Sequence, residues 1–101
     1  MADFVKVASV SELAPGTAKA IEVMGKPIAL FNVKGTIYAT DNTCLHQGGP
    51  LGEGELTGDV IVCPWHQWEY NVRTGEMVGN GSVKIVTYPV RVEGDDIKVA
   101  V

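Results

Sequence analysis

Every cysteine and every histidine of the chain falls in one stretch, "TCLHQGGPLGEGELTGDVIVCPWHQW". Cys44 and His46 are two apart, Cys63 and His66 three apart, and sixteen residues separate the two pairs. Thiolate and imidazole together suit zinc or iron–sulfur clusters. The members of each pair are too close in sequence to serve distant sites, and the gap between pairs is long enough to bring the second back opposite the first. Two arrangements follow. All four residues can surround one tetrahedral zinc, or they can hold two irons bridged by sulfide, both cysteines on one iron and both histidines on the other. Zinc patterns usually group like with like, whereas each pair here is mixed. Mixed pairs are what two facing loops need if each gives one ligand to each iron. Alone, Cys63 in "VIVC" would read as a small core hydrophobe, and His46 as a surface loop residue. Four such accidents at this spacing are improbable.

Ligands on loops need a rigid scaffold, and the rest of the chain reads as strands. "FVKVA" opens one, and "SVSELAPG" offers a capping-box pattern from Ser9 to Glu12, cut off by Pro15-Gly16, so one helical turn at most is expected. "TAKAIEV", "PIALFNV" and "TIYAT" are β-prone runs separated by Met24-Gly25-Lys26 and Lys34-Gly35, the pattern of an antiparallel meander. "DVIVC" and "QWEYNV" read as further strands, with turns at Thr57-Gly58 and Thr74-Gly75. "TYPVRVEGDDIKVAV" alternates on both sides of Glu93-Gly94-Asp95 and reads as a final hairpin with one buried face. The texture changes at Asp41, where glycines become dense and apolar runs shorten, and regular alternation resumes after Gly81. The expectation is an all-β single domain over 1–101, with a base from 1–40 and 82–101 and a ligand-bearing insert at 41–81.

Length and composition agree with one folded domain. The chain has 101 residues, 46% hydrophobic and 20% charged, a balance that excludes disorder. The N-terminus "MADFVKVASV" lacks the basic and apolar regions of a signal peptide, and no apolar run reaches the length of a membrane span. A cytoplasmic protein is expected, where two cysteines do not form a structural disulfide. A formal charge of −4 argues against nucleic acid or membrane as partner. Between residues 41 and 76 stand Asp41, Glu53, Glu55, Asp59, Glu69 and Glu76 against a single base, Arg73, so the ligand-bearing segment is acidic.

The motif Cys44-x-His46 … Cys63-x-x-His66 resembles the signature of Rieske proteins. "CLHQGGPLGEGEL" is similar to the first Rieske box and "CPWHQWEYNVRTGE" to the second. "IYATDNTCLH" and "YPVRVEGDDIKV" extend the likeness to the soluble Rieske ferredoxins across the chain. The resemblance implies the Rieske fold, an antiparallel β-sandwich or barrel-like base with an inserted cluster-binding subdomain. It implies one [2Fe-2S] cluster per chain, with Cys44 and Cys63 on the inner iron and His46 and His66 on the outer iron through Nδ1. Oxidised, two ferric irons, two sulfides, two thiolates and two neutral imidazoles sum to zero. Such a site accepts an electron more readily than a four-thiolate dianion, hence roughly −150 to +300 mV against about −400 mV.

High-potential Rieske proteins carry an extra cysteine in each box, joined as a disulfide, where this chain has Gly49 and Trp65. They also place a serine two residues after the second histidine, where this chain has Trp68. The family tyrosine two further on is matched by Tyr70, whose hydroxyl would reach a cysteine sulfur. These departures favour a low potential. Gly48, Gly49 and Gly52 are expected to let backbone N–H groups approach the sulfides. The family's proline-bearing third loop corresponds to "VGNGSVKIV", which has no proline.

The sequence shows no nucleophile, substrate pocket or acid–base constellation. A non-enzymatic, monomeric one-electron carrier is expected. The resemblance implies a flavin-dependent NAD(P)H reductase as electron donor and a terminal ring-hydroxylating oxygenase as acceptor. A Rieske-like small subunit of a nitrite reductase-type assembly is the next alternative, and a structural zinc module the third.

Overall fold

The run "PIALFNV" has no polar alternation until Asn32, and the reason is that both of its faces are covered. The computed structural model describes residues 4–43, 50–64 and 68–100. Its strands are β1 (Phe4–Ser9), β2 (Ala18–Val23), β3 (Lys26–Val33), β4 (Thr36–Asp41), β5 (Glu55–Thr57), β6 (Val60–Val62), β7 (Glu69–Asn71), β8 (Glu76–Met77), β9 (Asn80–Lys84), β10 (Thr87–Tyr88), β11 (Val90–Glu93) and β12 (Asp96–Ala100). They form three antiparallel sheets in the orders β1-β12-β11, β10-β4-β3-β2 and β5-β6-β7-β8-β9. Among the described residues the helical content is two single 3-10 turns, Val10–Glu12 and Leu51–Glu53. The first follows the expected capping pattern, with the Ser9 N–H donating to Glu12 Oε1 at 3.0 Å.

Successive side chains of a strand point to opposite faces, and β3 uses both. Ile28 and Leu30 join Ile37 and Ala39 of β4 and Ile97 and Val99 of β12 in one buried cluster. Ala29 and Phe31 join Leu51, Ile61, Cys63, Tyr70, Val72 and Ile85 in a second. The middle sheet is thus shared between the sheet made from the chain ends and the sheet that carries the second ligand box. Burying a side chain such as Phe31 or Ile61 stabilises by about 1.5–3 kcal/mol, so the second cluster ties the third sheet firmly to the middle one. Asn32, buried among these layers, is satisfied on both sides of its amide: Nδ2 donates to the Leu13 carbonyl at 2.8 Å, and Oδ1 accepts from the Gly35 N–H at 2.8 Å.

The meander β2-β3-β4 is as expected from its turns. Met24-Gly25 and Lys34-Gly35 both take positive φ, at 51° and 81° and at 51° and 94°. Left-handed pairs of this kind match the twist of a two-residue hairpin, and glycine at the second position carries no Cβ penalty.

Two elements differ from expectation. The run from Thr87 is not one hairpin. Thr87 and Tyr88 pair with Thr40 and Ala39 in the middle sheet, while Val90–Glu93 pairs with β12 in the outer sheet. Pro89 stands between them, without an N–H to continue a ladder. The stretch "VGNGSVKIV" is not simply a loop: it contains β9, which pairs with β8 through Glu76↔Lys84 and Met77↔Asn80 across a register shift. Its Ile85 is buried in the second cluster.

Candidate metal centre

Of the four expected ligands, Cys63 lies among the described residues. Cys44, His46 and His66 lie outside them, as do Gly48, Gly49 and Trp65. The described residues set the roots from which both ligand boxes spring.

The first box leaves β4 and returns beside it. Thr43 and Pro50 form an antiparallel bridge, and the Leu51 N–H donates to the Asn42 carbonyl at 2.7 Å. The second box is closed in the same way: the Cys63 N–H donates to the Trp68 carbonyl at 2.7 Å. Each box therefore starts and ends at one place, as loops must if they are to present ligands from a fixed base.

The two roots touch. A Cβ built on Gly54 would lie 2.1 Å from the Val62 carbonyl oxygen, so the chain leaving the first box presses directly on the residue before Cys63. A Cβ on Gly52 would lie 2.6 Å from the Ala20 nitrogen, placing the same root flush against β2. Only glycine allows either approach. This corrects the expected role of Gly52. Its N–H donates to Asn42 Oδ1 at 2.6 Å, and its missing side chain admits Ala20. Asn42 and Gly54 had no assigned role in the sequence. The available signals were an asparagine directly after a strand in "DNTC" and a glycine between two acids in "GEGEL".

The register of the third sheet sorts its side chains. Cross-strand partners share a face. Leu56, Ile61 and Tyr70 pair in line, and all three belong to or pack against the second cluster. One position along, Glu55, Val62 and Glu69 are in line on the opposite face, with both glutamates exposed. Two strand spacings put the glutamates about 10 Å apart, flanking the residue before Cys63. The segment's one base, Arg73, pairs with Asp59 at 3.8 Å. Among the described residues, no ion pair involves Glu53, Glu55 or Glu69.

Cys63 has no exposed surface and packs in the second cluster with Leu51 and Tyr70, with Trp68 against it. A lone thiolate would be costly in such surroundings. A thiolate bound to a cluster whose oxidised charge sums to zero is not, so this position fits a Rieske centre. Tyr70 is fully buried in the same cluster. An open cleft of about 600 Å³ runs past Cys63 and Pro64. Its described titratable groups besides Cys63 are Glu53 and Glu55, which do not make an acid–base pair with a nucleophile.

At the end of β4, the Asp41 N–H donates to the Val86 carbonyl at 2.9 Å, and the Tyr88 hydroxyl donates to Asp41 Oδ1 at 2.5 Å. Burial first, and then this bond, push the Tyr88 hydroxyl up to about 12. No helix among the described residues is long and apolar enough to cross a membrane.

The family model of the Rieske [2Fe-2S] domain matches residues 3–89. The ferredoxin component of the naphthalene 1,2-dioxygenase/salicylate 5-hydroxylase systems of Ralstonia sp. is 39% identical over 92 residues, covering 90% of this chain and 88% of its own. The biphenyl dioxygenase ferredoxin subunit of Pseudomonas sp. strain KKS102 is 38% identical, covering 95% of this chain and 90% of its own. Among solved structures, a chain from the complex of reduced oxygenase and oxidized ferredoxin in carbazole 1,9a-dioxygenase superposes with a TM-score of 0.88 at 36% identity. It covers 96% of this chain and 92% of its own.

Proposed function

The chain belongs to the Rieske [2Fe-2S] domain family, and on that premise we propose that it is the ferredoxin component of a multicomponent oxygenase system. It is a one-electron carrier with one [2Fe-2S] cluster and is not itself a catalyst. It takes electrons from a flavin-dependent NAD(P)H reductase and delivers them to a terminal oxygenase. The observation that carries this reading is the convergence of two closed loop roots on a buried Cys63, in a chain whose relatives of nearly equal length are ferredoxin components of dioxygenase systems.

Cys44 and Cys63 would hold one iron of the cluster, and His46 and His66 the other. When bound, the cluster supplies a single-electron redox couple. The residues around it exclude water from the cysteine side, through Leu51, Tyr70 and Trp68. The base is 1–40 and 82–101, and the cluster-binding insert is 41–81. In support of that division, the third sheet pairs only within itself, from Glu55 to Lys84, with β9 crossing the boundary. The protein works in the cytoplasm as a monomer.

Glu53, Glu55 and Glu69 set the character of the partner. Exposed and without ion pairs among the described residues, they favour a partner with a basic patch. Their attraction speeds encounter more than it tightens the complex. The test is reconstitution with a flavin NAD(P)H reductase and a terminal oxygenase, following reduction of the ferredoxin and then of the oxygenase across a salt series. Rates fall with salt, because exposed charges are screened beyond about 8–10 Å near physiological ionic strength. Charge reversal at Glu55 and Glu69 lowers them at low salt. Co-purification with a reductase chain at fixed stoichiometry would instead make it a resident subunit of a reductase.

A further inference from the structure

Asn42 stands where β4 ends, two residues before Cys44. Its backbone N–H donates to the Pro27 carbonyl at 3.1 Å. Its carbonyl accepts from the Leu51 N–H at 2.7 Å, and its side-chain Oδ1 accepts from the Gly52 N–H at 2.6 Å. The first bond ties the residue to the base at the start of β3. The other two grip the far end of the loop, with the Thr43–Pro50 bridge between. One residue thus fastens both ends of the first ligand loop to the same point of the scaffold. Gly52 also lies flush against Ala20. The β3–β4 ladder already closes at Ile28↔Asp41, so it needs nothing from the Asn42 side chain.

From this arrangement we infer that Asn42 is a positioning residue for the cluster. Acting through Leu51 and Gly52, it sets how the loop bearing Cys44 and His46 stands on the base. The side chain must offer an acceptor oxygen at this reach, which asparagine and aspartate do and alanine does not. The inference rests on the reading that this loop holds the cluster.

The test compares native protein with Asn42→Ala, Asn42→Asp and Gly52→Ala, all matured under the same conditions. Iron and labile sulfide are measured first, since a native protein without them refutes the cluster itself and not the clamp. The readouts are the rate of cluster loss to a chelator, the electron paramagnetic resonance spectrum of the reduced protein, the midpoint potential and hydrogen exchange. In Asn42→Ala, loss is about tenfold faster, as expected for one hydrogen bond. The spectrum and midpoint shift, and exchange at Leu51 and Gly52 speeds by a similar factor. The β3–β4 ladder keeps native protection. Asn42→Asp restores native loss rate and spectrum. Should Asn42→Ala fail to fold, Gly52→Ala displaces the same root from the Ala20 side and is read by the same assays. A native spectrum, midpoint and loss rate in Asn42→Ala, or in Gly52→Ala if that variant alone folds, overturns the inference. So does an equal loss of protection in the β3–β4 ladder, which would make the residue a general fold element.

Discussion

Replacing Gly54 with alanine separates the joint between the two ligand loops from every other source of stability. Gly54 sits at φ −81° and ψ −175°, extended backbone that any residue adopts, so alanine brings no conformational strain. What it brings is a Cβ 2.1 Å from the Val62 carbonyl oxygen and 3.2 Å from that of Leu51. Carbon–oxygen contacts settle at about 3.3–3.6 Å, so the Val62 contact must open by more than about 1 Å. Both neighbours are backbone, and neither can swing aside as a side-chain tip would. Overpacking of this kind costs about 1–3 kcal/mol, and a clash of two main chains belongs in the upper half of that range. At roughly 4–8 °C per kcal/mol for a domain near this size, the melt should fall by about 8–24 °C. The control is Gly58→Ala. That residue has φ +62° with nothing within 4 Å of a built Cβ, so the substitution costs about 1–2 kcal/mol of left-handed strain in a turn away from Cys63. Both variants melt early, but only Gly54→Ala should release its cluster faster, as followed by visible absorbance with a chelator below both melting temperatures. Equal cluster retention in the two variants would refute the idea that the Gly54–Val62 contact holds the loops together.

Purified, matured protein should contain about two irons and two labile sulfides per chain. His46→Ala or His66→Ala should lose the cluster while Gln47→Ala and Gln67→Ala keep it, and a zinc-loaded, iron-free preparation would overturn the assignment. The midpoint should lie near the low end of the Rieske range, roughly −150 mV, because Trp68 stands where high-potential relatives have serine. A value well above zero in protein-film voltammetry would show that the missing serine is not decisive. The Tyr88 hydroxyl titrates at about 12 against an ordinary 10, so the folded state holds this proton more tightly than the unfolded. Its contribution is complete below about pH 10 and is lost as pH rises toward about 12. Tyr88→Phe should flatten that alkaline fall in melts from about pH 9 to 12, and an unchanged slope in the variant would reject the assignment.

How much of this was legible beforehand differs by element. The meander was legible because Met24-Gly25 and Lys34-Gly35 are turn pairs with their own chemistry, independent of tertiary context. Cys44, His46, Cys63 and His66 stand out as candidate ligands because soft donors at that spacing have few other uses. The sheet change at Pro89 was not, because Tyr88 and Val90 continue one alternation while belonging to two sheets. Periodicity records which face is buried but not which neighbour buries it. Nor was β9 legible in "VGNGSVKIV", where two glycines and a serine mask a short strand held by β8. The joint at Gly54 lay beyond reach for a different reason. A glycine required by a contact with residue 62 looks, in sequence, like a glycine required by a turn.

The placement of polar contacts explains how such a small protein can hold a cluster and still release its partners. A carrier must keep nearly the same geometry in two redox states, so its ligand loops need fixed roots. Here the fixing is done by backbone and carboxamide bonds, Leu51 and Gly52 to Asn42 and Cys63 to Trp68, and by glycines at van der Waals limits. None of these contacts depends on ionic strength. The carboxylates follow the opposite rule. Asp59 has its arginine, but Glu53, Glu55 and Glu69 stand exposed beside the roots, where water and salt weaken whatever they attract. Charges of that kind favour fast encounter and fast release. Had the loops been anchored by ion pairs to these same acids, each docking event would have competed with the site's own support. A neutral anchor leaves salt free to act on those exposed acids without loosening the loop roots.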